Sequence, residues 1–357
     1  MRIVQIIDSL EVGGAERMAI NYANALGKKI SFSGLVATRK EGELKNKIED
    51  KVDYFFLNRT KTLDLKAVFK LKAYCKKHKI EFLQPHSSSY FLAVLVKLIY
   101  PRIQIIWHDH NGLSEFIHSQ KCFSLKIASF FFRGIIVVNY QLKNWANKEL
   151  NCNEVIYLPN FTNHESKVET NDQLKGQEGK KIICLANLRE QKNHFLLLRV
   201  AEKLKVSHPN WSFHLVGKNF QDDYSKELEA LINSKKLEQN VYIYGTKNNS
   251  PSLINESEIA ILTSKSEGLP VALLEYGLNK KAVVVTPVGE IPMIIKDGVN
   301  GYIAPSDNDE LFYKSLIALI ENPNVRKQFG EALYQTIAKN NSEDAVIIEY
   351  LNWIKNI

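Results

Sequence analysis

The amino-acid sequence predicts an α/β protein made of two Rossmann-like, doubly wound domains. Short, continuously apolar runs rich in β-branched residues alternate with helix-length segments, and the runs fall into two sets along the chain. Continuous apolar strands separated by helices are typical of parallel sheets that are covered on both faces. The length of 357 residues favours two domains over one, and an apolar content of 45% is enough to fill two cores.

The strand predictions rest on apolar runs that end in turn residues. In the first set the predicted strands are RIVQIID (2–8), FSGLVAT (32–38), VDYFFL (52–57), IQIIWH (103–108), GIIVVN (134–139) and NEVIYLP (153–159). In the second set they are KKIICLAN (180–187), WSFHLVG (211–217), VYIYG (241–245), EIAILTS (258–264) and AVVVTP (282–287). Two such sets predict two separate parallel sheets.

A polar stretch between the two sets predicts the domain boundary. NFTNHESKVETNDQLKGQEGKK (160–181) lacks periodicity and contains two glycines, as linkers do. We expect an N-terminal domain over residues 1–165, a linker over 166–180 and a C-terminal domain over 181–338. Residues 339–357 carry apolar residues at helical spacing, which predicts a final helix that packs back on the first domain.

The sequence predicts neither secretion nor a membrane span. MRIVQIIDSL enters a strand-like run directly, without the charged segment and cleavage site of a signal peptide. The longest apolar stretches are interrupted by Lys97 and Arg133, short of the roughly 20 residues that a spanning helix needs. The four cysteines show no metal or redox spacing, so we expect free thiols in a reducing cytoplasm.

Positive charge is concentrated in the first half of the chain. The net charge is +8, yet residues 1–165 carry 24 Lys and Arg against 15 Asp and Glu, whereas residues 166–357 carry 23 against 24. This asymmetry indicates an anionic partner on one side. No nucleic-acid recognition motif accompanies it, so we expect no nucleic-acid partner, and an anionic membrane surface fits the charge.

The lysine-rich stretch over residues 61–79 predicts a basic helix that begins at Leu65. Its apolar positions Val68, Leu71 and Cys75 share one face, and lysines flank or oppose that face. Two interpretations remain open: an ordinary surface helix that covers the first sheet, or a helix whose lysines also face an anionic bilayer.

Two loops of the first half follow predicted strands. Gly13 and Gly14 open a helix, where glycine lets a ligand approach backbone N–H groups and the helix dipole favours anions. The glycines do not form G-x-G-x-x-G, which argues against a dinucleotide fingerprint. His108 and His110 follow an apolar strand, where open parallel sheets bind ligands. A tight turn and solvated loop histidines are the plainer alternatives, and no further ligand is spaced for a metal.

Two loops of the second half carry charge at strand ends. LANLREQKN places Arg189 and Lys192 in the first strand-to-helix loop, where they could hold a diphosphate or form a solvated basic loop. SEGLPVALLE places Glu267 in a turn and Glu275 on an apolar helix that follows Pro270, with Ser266 as a plausible cap. The two glutamates could grip one polyhydroxylated ligand, although a lone glutamate commonly lies on a solvent face.

Together these segments resemble the family-4 retaining glycosyltransferases of the GT-B fold, in which two Rossmann-like domains face a central cleft. SEGLPVALLE matches the family's motif of two glutamates separated by seven residues, and VVVTPVGEIPMIIKDGVNGYIAP matches the segment after it. GGAER and ANLREQKN are similar to the phosphate-side loops, HDHN to the His-containing loop of the acceptor-side domain, and VIYLPNFTN to the segment before the linker. The resemblance covers nearly the whole chain.

The resemblance implies a role for each matching residue. Glu275 would bind the ribose of the nucleotide. The expected catalytic residues are Glu267 at hydroxyls of the donor sugar, Lys192 and Arg189 at the departing diphosphate, and His110 beside the donor sugar and the bond that breaks. The other residues expected at the donor are Gly268, Leu269, Pro270, Gly217 and Asn187, and those expected at the phosphates or the acceptor are Gly13, Gly14 and His108.

The chain departs from the family pattern at two positions. Many members have arginine where this chain has Asn187, so Arg189 would take that arginine's role. Many members have glutamate where this chain has Met293, so one polar contact would be missing.

The implied function is metal-independent, cofactor-free transfer of a sugar from a UDP- or GDP-linked donor to a glycan or polyprenyl-diphosphate-linked acceptor. The setting would be cell-surface polysaccharide synthesis at the cytoplasmic face of the membrane. Stabilising the leaving diphosphate, orienting the acceptor and excluding water are the tasks that this chemistry sets. Two alternatives are a GT-B sugar-nucleotide epimerase and a non-catalytic protein that binds nucleotide sugars or glycans.

Overall fold

The computed structural model describes residues 1–110, 119–161, 173–247 and 249–357, without the side chains of 119–122. The chain divides into two compact units, Met1–Phe161 with Glu343–Ile357 and Thr162–Ser342. The predicted linker runs over 166–180, and its residues 166–172 lie outside the described residues.

The first unit is built on a parallel sheet of seven strands. The strands are β1 (Arg2–Ser9), β2 (Phe32–Lys40), β3 (Val52–Phe56), β4 (Phe82–Pro85), β5 (Gln104–Asp109), β6 (Phe132–Val137) and β7 (Val155–Tyr157). Their order in the sheet is β3-β2-β1-β4-β5-β6-β7, so the order reverses between β1 and β4. The helices along this part of the chain are α1 (Gly14–Gly27), α2 (Leu65–Lys77), α3 (Tyr90–Ile99), α4 (Ser119–Ser129) and α5 (Tyr140–Glu149).

The second unit repeats this plan with six parallel strands. The strands are β8 (Lys181–Leu185), β9 (Ser212–Val216), β10 (Val241–Gly245), β11 (Ile259–Leu262), β12 (Ala282–Val285) and β13 (Tyr302–Ile303). Their order is β10-β9-β8-β11-β12-β13, so the reversal lies between β8 and β11. The helices are α6 (His194–Ser207), α7 (Asp223–Ser234), α8 (Ser250–Asn255), α9 (Val271–Leu278), α10 (Ile291–Ile294), α11 (Asp309–Glu321) and α12 (Pro323–Asn340). Both units are therefore doubly wound α/β folds, as the sequence predicted.

The last helix, α13 (Glu343–Asn356), belongs to the first unit and packs against α1. Its buried stripe is Val346, Ile347, Tyr350 and Ile354. These positions are three or four residues apart, so they lie on one face of the helix and can be buried together. Tyr350 is fully buried, and its hydroxyl donates to the side-chain oxygen of Gln84 on β4.

The lysine-rich segment forms the predicted helix α2. Asp64 caps it by accepting a hydrogen bond from Ala67 N over 3.0 Å, which satisfies one of the free N–H groups of the first turn. Val68, Leu71 and Cys75 are buried against the first sheet, as the apolar stripe predicted.

Three local features differ from the sequence predictions. Strands β4 and β13 were not predicted, because one contains Gln84 and Pro85 and the other is only two residues long. Ser266 does not cap α9: the helix begins at Val271, and the residue before it is Pro270.

Among the described residues, no helix combines the length and apolar character that a membrane span requires.

Candidate functional site

Two of the predicted site residues, Lys192 and Glu267, form an ion pair in the second unit. Lys192 Nζ lies 2.5 Å from Glu267 Oε1, and the Ser264 hydroxyl donates to the same oxygen over 2.6 Å. The Glu267 side chain is only 7% exposed. A carboxylate withdrawn from water is costly unless donors satisfy it, and here a cation and a hydroxyl both do so.

The ion pair forms because β8 and β11 are neighbours in the sheet. Lys192 ends a 3-10 turn after β8, and Glu267 lies in the loop after β11, 75 residues later. Gln191 ties the loops together, since its side-chain amide donates to the carbonyl oxygen of Ser266 over 2.8 Å. The loops thus meet at the carboxyl ends of the strands where the sheet order reverses, which is where doubly wound folds bind ligands.

Two glycines allow backbones to approach closely around this pair. Gly289, after β12, has φ +58°, and a Cβ there would lie 2.2 Å from the carbonyl oxygen of Gly268 and 2.3 Å from that of Glu267. Gly217, after β9, lies equally close to the loop after β8: a Cβ there would lie 2.2 Å from the carbonyl oxygen of Ala186. Only glycine fits at both places, so backbone contacts fix the loop that carries Glu267.

Glu275 lies on α9 and is buried, with 8% of its surface exposed. The solvent-face alternative for this residue is therefore excluded. Its neighbour Tyr276 accepts a hydrogen bond from Leu185 N over 2.6 Å, which ties α9 to the end of β8. Pro270, just before the helix, offers no side-chain cap to the N–H groups of the first turn. Because a helix N-terminus favours anions, this end of α9 suits a phosphate.

Arg189 and Asn187, the other predicted site residues of the loop after β8, have different contacts. The guanidinium of Arg189 lies over the ring of Phe220, 4.5 Å from its centroid, and Lys218 Nζ lies 5.1 Å from the same centroid. Asn187 Oδ1 accepts a hydrogen bond from Lys218 N over 2.8 Å. Asn187 therefore fixes the loop backbone, whereas the cation–π contact holds Arg189. Met293, at the other departure from the family pattern, is 68% exposed.

The glycines of the first unit lie where the sequence predicted them. Gly13 is the extended N-cap residue of α1, and Gly14 begins the helix. The carboxylate of Glu16, in the first turn, is so close to Gly13 that an added Cβ would lie 2.2 Å from Glu16 Oε2. A carboxylate of the chain itself thus lies at this helix N-terminus, in the place that the dipole favours for an anion.

His108 and His110 lie in the first unit beside a third imidazole, His86. His86 follows β4, His108 is in β5 and His110 follows β5. His86 Nδ1 lies 2.7 Å from His110 Nε2, and the rings of His108 and His110 have centroids 3.9 Å apart. His86 and His108 are buried, so the solvated-loop alternative is excluded for His108. Sequence spacing could not show this cluster, because β4 was not predicted.

Two glutamine side chains on neighbouring strands of the first sheet extend this histidine cluster. Gln5 and Gln84 stand opposite each other on β1 and β4, and Gln5 Nε2 donates to Gln84 Oε1 over 3.3 Å. His86 Nε2 lies 2.8 Å from Gln5 Oε1, and His108 Nδ1 lies 3.2 Å from Gln84 Nε2. Gln5 was a signal in the sequence that went unused, since it is a polar residue inside an otherwise apolar strand.

Burial keeps the three imidazoles neutral. Loss of hydration lowers the pKa of His110 to about 3. The same cause, followed by repulsion from the neighbouring histidines, lowers the pKa of His86 and of His108 well below the ordinary range. A neutral imidazole has one N–H donor and one acceptor nitrogen, so each ring can both give and receive a hydrogen bond.

The three histidines are also a geometric candidate for a metal, since their ligand nitrogens lie within 4.8 Å of one another. Nitrogens that share a tetrahedral zinc at about 2.0–2.1 Å would be roughly 3.4 Å apart. The 2.7 Å separation of His86 Nδ1 and His110 Nε2 is a hydrogen-bond length instead. A metal would therefore have to break this contact.

Comparison with known proteins begins with a match to most of the second unit. Residues 165–336 match the family model described as "Glycosyl transferases group 1". That range contains Lys192, Glu267 and the whole of α9.

Relatives extend the likeness to the whole chain. The chain is 23% identical to the amylovoran biosynthesis glycosyltransferase AmsD of Erwinia amylovora, over 99% of both chains. It is 26% identical to the capsular polysaccharide biosynthesis glycosyltransferase CapH of Staphylococcus aureus, over 92% of both. It is 20% identical to UDP-Gal:alpha-D-GlcNAc-diphosphoundecaprenol alpha-1,3-galactosyltransferase of Escherichia coli, over 87% of this chain and 86% of the relative.

A solved structure shows the same fold. The Anabaena protein Alr3699/HepE, crystallised with UDP and glucose, superposes with a TM-score of 0.85 over 100% of both chains at 17% identity. The fold is GT-B, as the resemblance implied. The family match and the relatives support a glycosyltransferase, with relatives in polysaccharide biosynthesis.

Proposed function

We propose that this protein is a retaining, metal-independent glycosyltransferase of family 4 that uses a nucleotide-sugar donor. The observation that carries the proposal is the group formed by Lys192, Glu267 and Glu275 at the carboxyl ends of β8 and β11. It supplies a cation and two buried carboxylates, and the helix that carries Glu275 has no side-chain cap at its N-terminus. HepE, which shares the fold, was crystallised with UDP and with UDP-glucose, so UDP is the first nucleotide to test.

Each group has a task in sugar transfer. Glu275 accepts hydrogen bonds from the ribose hydroxyls. The N–H groups at the start of α9 and the Lys192 ammonium face the diphosphate, whose negative charge grows as the bond to the sugar breaks. Arg189 lies on the same loop and adds a second cation. Glu267 orients the donor sugar through its hydroxyls, and the contact with Lys192 holds that carboxylate in place.

The acceptor site is proposed for the first unit, at the edge where β1, β4 and β5 end. The relatives AmsD and CapH are named for polysaccharide biosynthesis, and the E. coli relative for a diphosphoundecaprenol acceptor. A glycan or a polyprenyl-diphosphate-linked sugar is therefore the acceptor class that we propose. The hexosyl and N-acetylhexosaminyl donors are both to be tested.

The direct test is a panel of UDP- and GDP-linked hexoses and N-acetylhexosamines, with lipid-linked and soluble glycan acceptors, in the presence of EDTA. We expect transfer from one donor with the anomeric configuration retained, as measured by NMR of the product. Activity lost in EDTA and restored by Mn²⁺ would contradict the metal-free mechanism. An epimer formed from the donor alone would point to an epimerase, and donor binding without turnover to a binding protein.

We also propose that the first unit docks on an anionic membrane. On α2, Lys66, Lys70, Lys76 and Lys77 are exposed, and so are two large apolar side chains of the same helix, Leu65 (62%) and Phe69 (57%). Lysines near an anionic surface contribute about 1 kcal/mol each, and apolar side chains add binding where they enter the interface. This arrangement suits peripheral docking beside a lipid-linked acceptor.

The neighbouring helices also carry exposed apolar side chains. Helix α3 packs on α2 and on α4, and the exposed apolar residues of this region include Leu98, Phe123, Ile127 and Phe130. Large apolar side chains that are exposed on neighbouring helices commonly mark an interaction surface. Combined with the excess of Lys and Arg over residues 1–165, they favour a lipid surface over a protein partner.

Vesicle flotation tests the docking proposal. We expect recovery with anionic vesicles at low salt and little with zwitterionic vesicles. Changing Lys66, Lys70, Lys76 and Lys77 to Gln should abolish recovery, and Phe69→Ser should weaken it. The matched control is Val206→Ser, since Val206 is 85% exposed but lies in the second unit. Equal flotation of wild type and the lysine variant would assign the lysines to an ordinary solvated helix.

A further inference from the structure

Three buried hydroxyl side chains are hydrogen-bonded around the Lys192–Glu267 pair, and the sequence predicted a role for none of them. They are Thr263 and Ser264, which follow β11, and Thr286, which follows β12. At most 1% of each residue is exposed. A buried hydroxyl needs a hydrogen-bond partner, so the atom to which each one donates shows what it holds.

Thr263 and Ser264 are consecutive residues, and each holds one member of the ion pair. The Thr263 hydroxyl donates to the carbonyl oxygen of Lys192 over 2.8 Å, which fixes the backbone from which the ammonium extends. The Ser264 hydroxyl donates to Glu267 Oε1 over 2.6 Å, a usual length for a bond from a hydroxyl to a carboxylate. Thr263 thus leaves the Lys192 side chain free to turn, whereas Ser264 holds the Glu267 side chain itself.

Thr286 fixes the backbone of Ser264. The Thr286 hydroxyl donates to the carbonyl oxygen of Ser264 over 2.6 Å, and Thr286 N donates to the carbonyl oxygen of Leu262 over 3.1 Å. These bonds continue the pairing of β11 with β12, in which Leu262 stands opposite Val285. The position of Ser264 is therefore set by the sheet and does not depend on a ligand.

The two carboxylate oxygens of Glu267 have different surroundings. Oε1 accepts hydrogen bonds from both Lys192 and Ser264, whereas Oε2 is hydrogen-bonded to none of the described residues. A carboxylate has about two acceptor positions on each oxygen, so Oε1 has both of its positions occupied. A hydroxyl of a ligand that donates to this side chain is therefore directed to Oε2.

Lys192 and Ser264 differ in how they respond to a bound anion. The Lys192 side chain is 22% exposed, and its ammonium can turn toward a diphosphate, which carries more negative charge than one carboxylate. The Ser264 hydroxyl is buried and lies in the same loop as Glu267. It therefore stays bonded to Oε1 when the ammonium turns away.

We infer that Ser264 is a positioning residue that holds Glu267 Oε1 during sugar transfer, so that Oε2 accepts hydrogen bonds from the hydroxyls of the donor sugar. Ser264 then contributes to specificity, because an oxygen held in one place accepts from a hydroxyl of one configuration and not from that of the epimer. That the ligand is a sugar rests on the proposed function, whereas the bonds that hold Glu267 do not.

Two buried serines make a matched pair of test variants. Ser264→Ala removes the bond to Glu267. Ser257→Ala is the control, because Ser257 is fully buried in the same unit and its hydroxyl donates to the carbonyl oxygen of Ile254 over 2.7 Å. Ser257 precedes β11, so it lies at the end of the strand opposite to the ligand edge. Each variant loses one buried hydroxyl and one donated bond, and only the bond to Glu267 distinguishes them.

Kinetics with epimeric donors give the first readout, using UDP-glucose with UDP-galactose and the corresponding pair of N-acetylhexosamines. In Ser264→Ala we expect kcat with the preferred donor to fall about tenfold, as for loss of one hydrogen bond, and the ratio of kcat/KM between the epimers to move toward one. Its affinity for UDP, which has no sugar, should not change. Thr286→Val should act in the same direction by less, and Ser257→Ala should stay near wild type.

Two kinetic results would overturn the inference. One is a turnover and an epimer ratio in Ser264→Ala equal to those of Ser257→Ala. The other is a loss of UDP affinity in Ser264→Ala as large as its loss of turnover, because this would show a general disturbance of the site. A wild-type protein that turns over none of these donors would count against the proposed function instead.

Crystal structures without ligand supply a second readout that needs no activity. In Lys192→Met the cation is gone, and Glu267 Oε1 should remain bonded to Ser264. In the double variant Lys192→Met with Ser264→Ala, the Glu267 side chain should leave this position. Departure of Glu267 from Ser264 in Lys192→Met, or an unchanged Glu267 in the double variant, would overturn the inference whether or not the protein transfers sugar.

Discussion

Gly289→Ala tests whether close backbone contact helps to hold the loop that carries Glu267. Gly289 follows β12, and its missing side chain makes room for the backbone of residues 267 and 268. The hydrogen bond of 2.9 Å from Glu290 N to Gly268 O joins the same two segments. An alanine at this position pushes directly on the peptide groups that place Glu267.

The magnitude follows from two costs. An L-residue in the left-handed region costs about 1–2 kcal/mol, and Gly289 has φ +58°. The added Cβ would also lie 2.2 Å from a backbone oxygen, so the segments must separate by about 1 Å, and overpacking of this kind costs about 1–3 kcal/mol. We therefore expect a loss of about 2–5 kcal/mol in the free energy of unfolding of the second unit.

Gly298→Ala is the matched control. Gly298 has φ +72°, but nothing lies within 4 Å of the position that its Cβ would occupy. It should show only the backbone cost of about 1–2 kcal/mol. Calorimetric unfolding measures both variants, and donor turnover should fall about a hundredfold in Gly289→Ala alone, as expected for a displacement of about 1 Å at a reacting group. Equal stability and equal turnover in the two variants would refute this account of the loop.

Three further outcomes are expected. Glu275→Ala should weaken UDP binding by about 1.5–3 kcal/mol, the cost of a lost charge-assisted hydrogen bond, and unchanged affinity in titration calorimetry would remove Glu275 from the nucleotide site. Lys192→Ala should lower donor turnover about a hundredfold, whereas Lys265→Ala, on a lysine that is 52% exposed, should stay near wild type; a normal rate for Lys192→Ala would contradict its role. Stability should fall as pH drops below about 6.5, because the buried histidines have lowered pKa values and the unfolded chain binds more protons than the folded chain. Thermal midpoints recorded from neutral pH to about pH 5 would show this loss, and a flat profile would argue that folding does not lower the pKa of these histidines.

The sheet architecture was predictable because parallel strands that are buried on both faces leave long apolar runs. VYIYG was predicted and observed over the same residues, Val241–Gly245, and RIVQIID differs from β1 by one residue. β4 escaped prediction because its polar residue Gln84 is fully buried, and burial of a polar group is specified by partners elsewhere in the chain. Those partners, Gln5, His108 and Tyr350, lie on three other elements, so no local pattern contains them.

The candidate site was predictable only in part for the same reason. SEGLPVALLE marks Glu267 and Glu275 locally, since a carboxylate on an apolar helix is unusual. That Glu267 bonds Lys192 requires β8 and β11 to be neighbours, which the alternation of strands and helices does not determine by itself. His86 followed an unrecognised strand, so neither its burial nor its bond to His110 could be predicted. Arg189 was recognised as a cation, but its position over Phe220 depends on the loop after β9.

Both units bury polar side chains at the point where strand order reverses, and the physical reason is the same. Neighbouring strands on the two sides of that point send their following loops to opposite faces of the sheet, which leaves room for side chains between the loops. Polar groups placed there are partly withdrawn from water and need partners across the gap. In the second unit the partners are oppositely charged, so Lys192 and Glu267 satisfy each other, and a ligand can take the place of either partner. In the first unit the partners are imidazole and amide side chains, which satisfy one another through hydrogen bonds. Charge should therefore govern donor affinity, so UDP binding should weaken as the salt concentration rises. UDP affinity that does not change with salt concentration would contradict this role for the charged pair.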